Sequence, residues 1–151
     1  MNADKDVMEC FPEQLTLEQS AEFLDRLLKH YEKHKYNYFA TEVLETGEFI
    51  GFIGLAYQTY DSPFTPATDI GWRLKKSAWR KGYATEGAKR VLEYGFNNLK
   101  LNRIVSSCTL VNTPSENVMK KIGMTKMGFF EHYKLKKIPR LRKCVWYEVT
   151  V

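Results

Sequence analysis

A basic loop between a predicted strand and a predicted helix is the feature that most constrains the fold of this chain. Residues 69–74 form an apolar run that is typical of a strand. From Ala84 to Leu99 apolar residues recur three or four positions apart, which puts their side chains on one face of a helix. Gly82 stands where the loop turns into the helix. The stretch therefore predicts a strand, a loop and a helix in succession.

The same loop has the composition of an anion-binding site. The first N–H groups of a helix have no internal partner, and the helix dipole places partial positive charge on them. A glycine lets a ligand approach the backbone closely, and four cations surround this one: Lys75, Lys76, Arg80 and Lys81. This pattern predicts a phosphate or diphosphate site. An ordinary turn with a solvated basic loop would look alike, so both interpretations remain open on these residues alone.

A second strand and a second helix follow. Residues 102–110 are rich in β-branched and apolar side chains, so strand, helix and strand form a crossover that requires parallel pairing. Thr113 is predicted to cap the next short helix, with Pro114 at its first position and Glu116 closing a capping box. Gly123 is predicted to end that helix in a left-handed conformation.

The flanking segments complete an alternating pattern. Thr16 and Gln19 form a predicted capping box for a first helix, whose apolar stripe is expected to pack in the core: Leu17, Ala21, Leu24, Leu28 and Tyr31. Residues 36–43 and 48–57 predict a hairpin, and residues 127–133 and 143–149 two further strands. Gly51 and Gly54 inside a predicted strand indicate a bulge or a close approach by another group.

Composition limits the class of protein. The chain has 151 residues, which suits one domain spanning residues 1–151. No apolar run approaches the about 20 residues of a membrane span, and the polar N-terminus is unlike a signal peptide. Three widely spaced cysteines favour free thiols, so we expect a cytoplasmic protein without a membrane partner. His30 and His34 have no accompanying third ligand, so no metal site is predicted.

The net charge of +5 raises the question of nucleic-acid binding. Much of the excess lies in the 75–81 loop and in a C-terminal run of six cations: Lys134, Lys136, Lys137, Arg140, Arg142 and Lys143. An anionic cofactor accounts for the first group, and a solvated loop is the ordinary explanation of the second. No groove-reading motif is present, so nucleic acid is not an expected partner.

The run Trp79-Arg80-Lys81-Gly82-Tyr83-Ala84-Thr85-Glu86 resembles the acyl-CoA-binding motif of the GNAT acetyltransferases. Gly82 and Ala84 match that motif, whereas Trp79 stands where Arg or Gln is usual, a form similar to the RimJ/RimL-type branch. The resemblance continues through Asn112-Thr113-Pro114-Ser115 and Lys121-Ile122-Gly123-Met124 and covers nearly the whole chain.

This resemblance implies an α/β (α+β) fold with a mixed central β-sheet flanked by helices. The N-terminal strand usual in the family is absent ahead of residue 7. The chain is then either a short form, or its sheet edge is completed by another protomer. A homodimer, or a segment that covers the edge beside the 36–43/48–57 hairpin, is expected.

The resemblance also implies acetyl-CoA as cosubstrate and names the residues that would hold it. Backbone groups near Trp72 and Leu74 would follow the pantetheine arm, Asn112 would hydrogen-bond it, and Ser115 would lie near the thiol sulfur. The diphosphate would rest on the amides of Arg80, Lys81, Gly82, Tyr83, Ala84 and Thr85. Without the resemblance, Asn112 would be a turn residue and Ser115 an idle first-turn serine.

Acetyl transfer to an amine also requires a proton acceptor and a proton donor. Many family members have a tyrosine where this chain has Met119, which leaves Ser115 or a water as donor. Asp69 is the expected base, since several polyamine and peptide acetyltransferases carry a carboxylate at the start of the equivalent strand; ordered water is the alternative. Glu86 is explained by the helix dipole. His132 and Tyr133 are candidates to line the acceptor pocket.

Together these features predict an N-acetyltransferase in which the amine attacks the thioester directly, without an acyl-enzyme. The alternative, indicated by Met119 and the short N-terminus, is a CoA-binding module that has lost catalysis. The acceptor is a small-molecule or peptide amine, and protein N-termini, polyamines, amino acids and drug amines all remain open.

Overall fold

The computed structural model covers residues 1–151 and confirms the predicted fold class. Three α-helices and six strands alternate, with short 3₁₀ turns at Lys76–Ala78 and Tyr133–Leu135. Most predicted elements lie within two residues of their expected bounds. In chain order they are α1 Leu17–His34, β1 Tyr38–Glu42, β2 Phe49–Gln58, β3 Ala67–Leu74, α2 Tyr83–Asn97, β4 Arg103–Thr109, α3 Thr113–Lys121, β5 Thr125–Glu131 and β6 Lys143–Thr150.

All six strands form one mixed sheet in the order β1-β2-β3-β4-β6-β5. The predicted parallel crossover is confirmed, because β3 and β4 pair in parallel around α2. The other neighbours pair antiparallel, so β5 runs in the same direction as β3 and β4. The loops that follow β3, β4 and β5 therefore all lie at the same end of the sheet, where these three strands have their carboxyl ends. No strand precedes α1, and β1 forms one open side of the sheet.

Helices α2 and α3 cover one face of the sheet, and this layer contains the main core. Its fully or nearly fully buried side chains are Leu55, Ile70, Ala88, Leu92, Ile104, Met119, Ile122, Met124, Val145 and Tyr147. Residues on β2, β3 and β4 alternate, so every second side chain points to the opposite face. Asp69 and Val105, which are partners across β3 and β4, lie on that second face.

The N-terminal segment, residues 1–15, covers part of the second face. The Phe11 ring lies 4.0 Å from the Arg73 guanidinium, and Val7 and Met8 are buried. Arg73 also donates to Asn2 Oδ1 over 3.0 Å. Further ties join Asp6 to Lys76 and the Arg140 guanidinium to the Glu9 carbonyl. The segment thus spans from the loop after β3 to the loop after β5.

The prediction for the face of α1 is wrong. The capping box of Thr16 and Gln19 is confirmed, but no residue of the helix is buried. Leu17, Leu24 and Leu28, which were expected in the core, are 90%, 58% and 63% exposed. The helix contacts the protein through the adjacent row instead. Phe23 lies 5.7 Å from the Phe52 ring, and the Leu27 carbonyl accepts a hydrogen bond from the Asn37 amide.

At α3 two smaller predictions are wrong and a third is confirmed. Its cap is Asn112 rather than Thr113, because Asn112 Oδ1 accepts the Ser115 N–H over 3.2 Å. Glu116 closes no capping box and instead accepts from the Tyr147 hydroxyl over 2.7 Å. Gly123 does adopt the predicted left-handed conformation, with φ of 85°.

The close approach predicted at Gly51 and Gly54 is confirmed. A Cβ atom on Gly51 would lie 2.1 Å from the Arg73 carbonyl oxygen, and one on Gly54 would lie 2.1 Å from that of Asn37. Both glycines therefore allow neighbouring strands to pack. None of the three helices is long and apolar enough to cross a membrane.

Candidate functional site

A gap opens between β3 and β4 at their carboxyl ends. The two strands pair in register only at Asp69 and Val105, and beyond this pair the Ser106 hydroxyl donates to the Ile70 carbonyl over 2.9 Å. The Lys75 N–H donates to β2, so the alternating peptide groups of Trp72 and Leu74 point away from β2 toward the gap. Backbone donors and acceptors thus line one side of the gap.

Trp79 closes the start of the loop. Its indole N–H donates to the Leu74 carbonyl over 2.9 Å, which ties the end of β3 to the residues before α2. The Leu74 carbonyl is therefore occupied, while its N–H and the peptide groups of Trp72 remain available to a ligand. In the sequence, Trp79 was recognised only as a departure from the motif. Its indole N–H, a hydrogen-bond donor, was the available sign of this structural role.

The loop and the start of α2 present open backbone amides. Gly82 is the N-cap with φ of 86°, no side chain caps the helix, and a Cβ atom there would meet nothing within 4 Å. Tyr83 and Ala84 pack by their side chains on the cluster that contains Leu74. Their N–H groups lie in the first turn of α2 and point out of its N-terminus. The amide of Thr85 belongs to the same uncapped turn. This geometry suits an anion that approaches the backbone directly.

Of the four predicted cations, three remain free of carboxylates. Arg80 and Lys81 are exposed, and the Lys75 ammonium lies 5.2 Å from the Phe49 ring. Lys76 instead forms an ion pair with Asp6 of the N-terminal segment. Two exposed charges, Arg80 and Lys81, therefore lie at the helix terminus, while Lys76 binds the N-terminal segment.

Asn112 and Ser115 stand at the start of α3, on the other side of the gap. Asn112 uses its side-chain oxygen to cap the helix, so its amide N–H₂ is left to donate to a ligand. Ser115 is half-buried, and its hydroxyl makes no hydrogen bond within the chain. Met119 is 1% exposed in the main core and does not face the gap.

Asp69 is held by two side chains from β1 and β2. The Tyr38 hydroxyl donates to Asp69 Oδ1 over 2.6 Å, and Gln58 Nε2 donates to Oδ2 over 3.3 Å. Burial raises the pKa of Asp69 to about 6, while these two hydrogen bonds oppose the rise. The carboxylate is therefore largely ionised at neutral pH and close to the range of an efficient proton acceptor.

Tyr38 reaches Asp69 because two glycines leave room for its side chain. Gly54 is the register partner of Tyr38, and Gly71 is the next residue across, on β3. A Cβ atom on Gly71 would lie 3.0 Å from the Tyr38 ring. Burial raises the pKa of Tyr38, so the phenol stays protonated and acts as a donor. The sequence did not identify Tyr38 or Gln58; the glycines in adjacent strands were the available signal.

An aromatic cluster lies next to Asp69 on the same face. The Tyr60 ring lies 5.1 Å from His132 and 5.7 Å from Tyr133, and these two rings stack 5.1 Å apart. Burial, followed by the Asp69 charge, raises the pKa of Tyr60 to about 12. His132 and Tyr133 thus join a cluster that adjoins Asp69.

The structure does not place Asp69 and Ser115 on one surface. Asp69 lies on the face with the aromatic cluster, whereas α3, which carries Ser115, packs on the opposite face. The gap between β3 and β4 separates the two. A ligand that lies in the gap would have Asp69 on one side and Ser115 on the other.

No group of three or more His, Cys, Asp or Glu side chains is arranged to hold a metal ion. The His pair on α1 is engaged in packing. His30 Nε2 accepts the Tyr57 N–H over 3.0 Å, and His34 lies 5.2 Å from the Tyr57 ring.

A parallel strand pair that diverges beside two helix N-termini defines an α/β protein with a ligand site at the carboxyl ends of its strands. The sequence model of a protein family, the acetyltransferase (GNAT) domain, matches residues 1–125 of this chain. The chain belongs to this family, whose cosubstrate is acetyl-CoA. The backbone groups of the gap and the open amides at Gly82 fit the pantetheine arm and diphosphate of that cosubstrate.

Individual relatives agree with the family. An uncharacterized N-acetyltransferase YnaD of Bacillus subtilis is 49% identical over 63 residues, which are 42% of this chain and 37% of that protein. A GNAT-family acetyltransferase from Bacillus anthracis is 31% identical with a TM-score of 0.76 and covers 99% of this chain and 84% of its own. The chain spans between 37% and 53% of the length of the first three curated relatives that it matches.

A more distant solved structure supports the fold. Spermidine N-acetyltransferase from Vibrio cholerae, in complex with CoA and spermine, has a TM-score of 0.76 at 19% identity. The alignment covers 99% of this chain and 85% of that one.

Proposed function

We propose that this chain is an acetyl-CoA-dependent N-acetyltransferase of the RimJ/RimL-type branch that acetylates a primary amine. The observation that carries the proposal is the gap between β3 and β4. One side of it presents backbone groups and the open start of α2, and the other face presents a carboxylate, Asp69, fixed by Tyr38 and Gln58. A thioester in the gap and an amine at Asp69 would meet where these two sides adjoin.

The cosubstrate supplies the acetyl group as a thioester, and the residues of the gap bind and orient it. Peptide groups of Trp72 and Leu74 and the amide of Asn112 hydrogen-bond the pantetheine arm. The diphosphate rests on the backbone of Arg80, Lys81, Gly82, Tyr83, Ala84 and Thr85. Arg80 and Lys81 add full charges that favour a diphosphate over a neutral ligand.

Asp69 and Ser115 carry the proton chemistry in this proposal. Asp69 takes a proton from the ammonium group of the acceptor, which leaves the amine lone pair free to attack the thioester carbonyl. The Ser115 hydroxyl, free of partners in the chain, donates a hydrogen bond or proton to the departing sulfur. The bond to the amine forms as the carbon–sulfur bond breaks. The nitrogen then loses its second proton, which replaces the one that Ser115 gives to the sulfur, and no residue becomes acetylated.

A second candidate is a CoA-binding module without catalysis. The observation that favours it is Met119, which is buried in the main core. Many members of the family have at this position a tyrosine that acts as proton donor, and methionine cannot do so. Asp69 remains in the same chain, so the enzyme is the first choice.

The test is thiol release from acetyl-CoA against a panel of amines, together with the thermal shift caused by CoA. Turnover with any amine supports the enzyme, while a thermal shift without turnover supports the module. Absence of both would overturn the cofactor site itself. Hydrolysis of acetyl-CoA without an amine is the blank for each rate.

The oligomer we propose is a homodimer across the β1 side of the sheet. The exposed stripe of α1 continues onto this strand, since the Tyr31 ring lies 5.8 Å from Phe39. Edge strands expose unpaired backbone groups, and two antiparallel copies of one strand satisfy each other around a two-fold axis. Leu24, Leu28 and Phe39 would then be covered by the partner copy.

A cytoplasmic location is also proposed. All three cysteines, Cys10, Cys108 and Cys144, are free thiols, as is usual in a reducing compartment. Cell fractionation with the enzyme assay would test it, and recovery in a membrane or secreted fraction would contradict it.

A further inference from the structure

A buried hydroxyl group, that of Ser106 on β4, lies where the pairing of β3 and β4 stops. The side chain is 2% exposed, and its hydroxyl donates to the Ile70 carbonyl of β3 over 2.9 Å. The proposed chemistry gives Ser106 no role. A buried polar side chain at the closed end of a ligand site nevertheless requires an explanation, because burial of a hydroxyl is favourable only when its hydrogen bond is used.

Two side chains occupy carbonyl groups of β3 that face the gap. The alternating peptide groups of Ile70, Trp72 and Leu74 point toward β4. At the closed end of the gap, the Ser106 hydroxyl donates to the Ile70 carbonyl. At the open end, the Trp79 indole donates to the Leu74 carbonyl. Between these two hydrogen bonds lies Trp72, whose N–H and carbonyl both remain available to a ligand.

A regular parallel ladder would continue one step beyond the Asp69–Val105 pair. The next pair would join Gly71 to Ser107. In that pair the Ser107 N–H would donate to the Ile70 carbonyl. The pair is absent, and Asp69 and Val105 are the last partners of the two strands. The pairing therefore stops at the residue whose carbonyl the buried hydroxyl occupies.

The Ser106 hydroxyl takes the place of a backbone donor. It donates to the Ile70 carbonyl that the Ser107 N–H would reach in a regular ladder. The Leu110 N–H donates to Lys143 of β6, and peptide groups alternate in direction along β4, so those of Ser107 point toward β3. The Ser107 N–H therefore faces the gap, and the carbonyl opposite it already has a donor.

The position of the closed end decides how close a thioester comes to Asp69. Asp69 belongs to the last pair, so the gap begins at the level of this residue. Adding the Gly71–Ser107 pair would move the closed end by two residues, about 6 to 7 Å along the strands. The new pair would also use the Trp72 N–H, which would donate to the Ser107 carbonyl. A ligand in the shortened gap would then end one pair away from Asp69.

We propose that Ser106 is a positioning residue for acetyl transfer and acts through Ile70. Its hydroxyl prevents β3 and β4 from closing by one further pair, and so keeps the thioester end of the cosubstrate at the level of Asp69. This inference rests on the proposed function, because it requires the pantetheine arm to lie along Trp72 in the gap.

The first experiment measures the exchange of backbone amide hydrogens in Ser106→Ala without any ligand. We expect the Ser107 and Trp72 amides to exchange about tenfold more slowly or less than in the unmodified protein, because the new pair gives both a partner. Ser106→Thr retains the hydroxyl and should exchange like the unmodified protein. The matched control is Thr68→Val, which removes another buried hydroxyl of β3, hydrogen-bonded to Tyr36 over 2.8 Å.

The second experiment measures the binding of two probes by calorimetry. CoA contains the pantetheine arm, whereas ADP contains only the diphosphate end. In Ser106→Ala we expect Kd for CoA to rise about tenfold or more and Kd for ADP to change less than about twofold. The value of kcat/KM for acetyl-CoA should fall by a similar factor. Thr68→Val should lower the melting temperature and leave both affinities and the rate unchanged.

Two results would overturn the inference. One is unchanged exchange of the Ser107 and Trp72 amides, which would show that the hydroxyl does not set the closed end. The other is slower exchange with unchanged CoA affinity and rate. If Ser106→Ala does not fold, Ser106→Cys replaces the hydroxyl by a weaker donor and should show the same changes to a smaller extent.

Failure of this inference can be distinguished from failure of the proposed function. The exchange measurement uses neither cosubstrate nor amine, so it reports on the closed end even in a protein without turnover. CoA binding that depends on Ser106 in the absence of turnover supports the inference and favours the CoA-binding module. Turnover that Ser106→Ala leaves unchanged contradicts the inference and retains the enzyme.

Discussion

The Tyr38 hydroxyl donates a 2.6 Å hydrogen bond to Asp69 from two strands away. Gly54 and Gly71 make this possible, because any side chain there would meet the backbone or ring of the tyrosine. The contact orients the carboxylate and stabilises its ionised form. Tyr38 is thus a positioning residue in the proposed mechanism, acting through Asp69.

Replacing Tyr38 by Phe should move the pH dependence of the enzyme. The groups that face Asp69 are Tyr38, Gln58 and Tyr60, with the Ala56 backbone. Burial raises the pKa of Asp69 and the Tyr38 hydrogen bond lowers it, so loss of this hydrogen bond should raise the pKa further. The acid limb of kcat/KM should shift to higher pH, with a loss of up to about tenfold near pH 6 and little change near pH 9.

The matched control is Tyr57→Phe, at a half-exposed tyrosine on β2. The measurement is kcat/KM from pH 5 to 9, with CoA affinity measured in parallel. Superimposable profiles for Tyr38→Phe and the unmodified enzyme would remove Tyr38 from the mechanism.

Asp69→Asn should lower activity and stabilise the fold at neutral pH. The pKa of Asp69 is about 6 in the folded protein, above its ordinary value of 3.8, so ionisation is less favourable in the folded state. The free energy of unfolding is therefore highest below about pH 4, falls between about pH 4 and 6 as Asp69 ionises, and stays at the lower level above that. The side chain of Asp69→Asn does not ionise, so the variant avoids this fall.

Thermal denaturation at pH 4 and pH 8 tests this prediction. We expect Asp69→Asn to gain on the order of 3 kcal/mol at most at pH 8, and little at pH 4. A variant that is less stable at pH 8 than at pH 4, relative to the unmodified protein, would show that the carboxylate stabilises the fold.

Gly82→Val should weaken CoA binding without unfolding the protein. The backbone at this position has φ of 86°, which a β-branched residue adopts only with strain, and the side chain would occupy the open space above the first amides of α2. We expect Kd for CoA to rise tenfold or more, about 1.4 kcal/mol per tenfold.

The chain offers a control for backbone strain. Gly47 in the β1–β2 turn has φ of 67° and likewise nothing within 4 Å of a Cβ atom. Gly47→Val should cost similar stability and leave CoA affinity unchanged in calorimetry. If both variants bind CoA like the unmodified protein, the diphosphate lies elsewhere.

Much of the architecture was predictable from local sequence signals. Periodicity located α2, an apolar run located β3, a run of β-branched and apolar residues located β4, and Gly82 marked the uncapped start of a helix. These signals act within one element or between neighbours in the chain. The predicted cap of α3, Thr113, lies one residue after the observed cap, Asn112. Asn and Thr both suit a helix N-cap, and only the folded loop selects between them.

The remaining features depend on contacts between distant segments. The apolar sector of α1 is wide enough to include both the Phe23 row and the Leu24 row, and its rotation is decided by Phe52 on β2. The Tyr38–Asp69 pair depends on the register of three strands. Neither can be derived from periodicity alone, because periodicity does not specify which neighbour covers a face.

If the protein is a homodimer through the exposed apolar stripe of α1, a charged residue in that stripe should reduce the mass of the particle in solution to that of a monomer. Leu28→Glu places a carboxylate in the apolar surface formed with Tyr31 and Phe39, so light scattering should show a monomer. Leu44→Glu is the control, because Leu44 is 96% exposed in the β1–β2 turn. An unmodified protein that is monomeric at high concentration would contradict the proposal.

Ser115→Ala tests the proton donor. The cap of α3 uses the backbone N–H of Ser115, which alanine retains, so the helix should stay intact and CoA affinity should change little. The hydroxyl has no partner in the chain, so its loss affects only a bound ligand. If it donates to the departing sulfur, kcat should fall by about 10²-fold or more, the usual scale for one positioned acid–base group. Ser77→Ala, in the exposed turn before the cofactor loop, is the control. A loss below threefold with a good acceptor would mean that proximity and solvent carry the proton transfer.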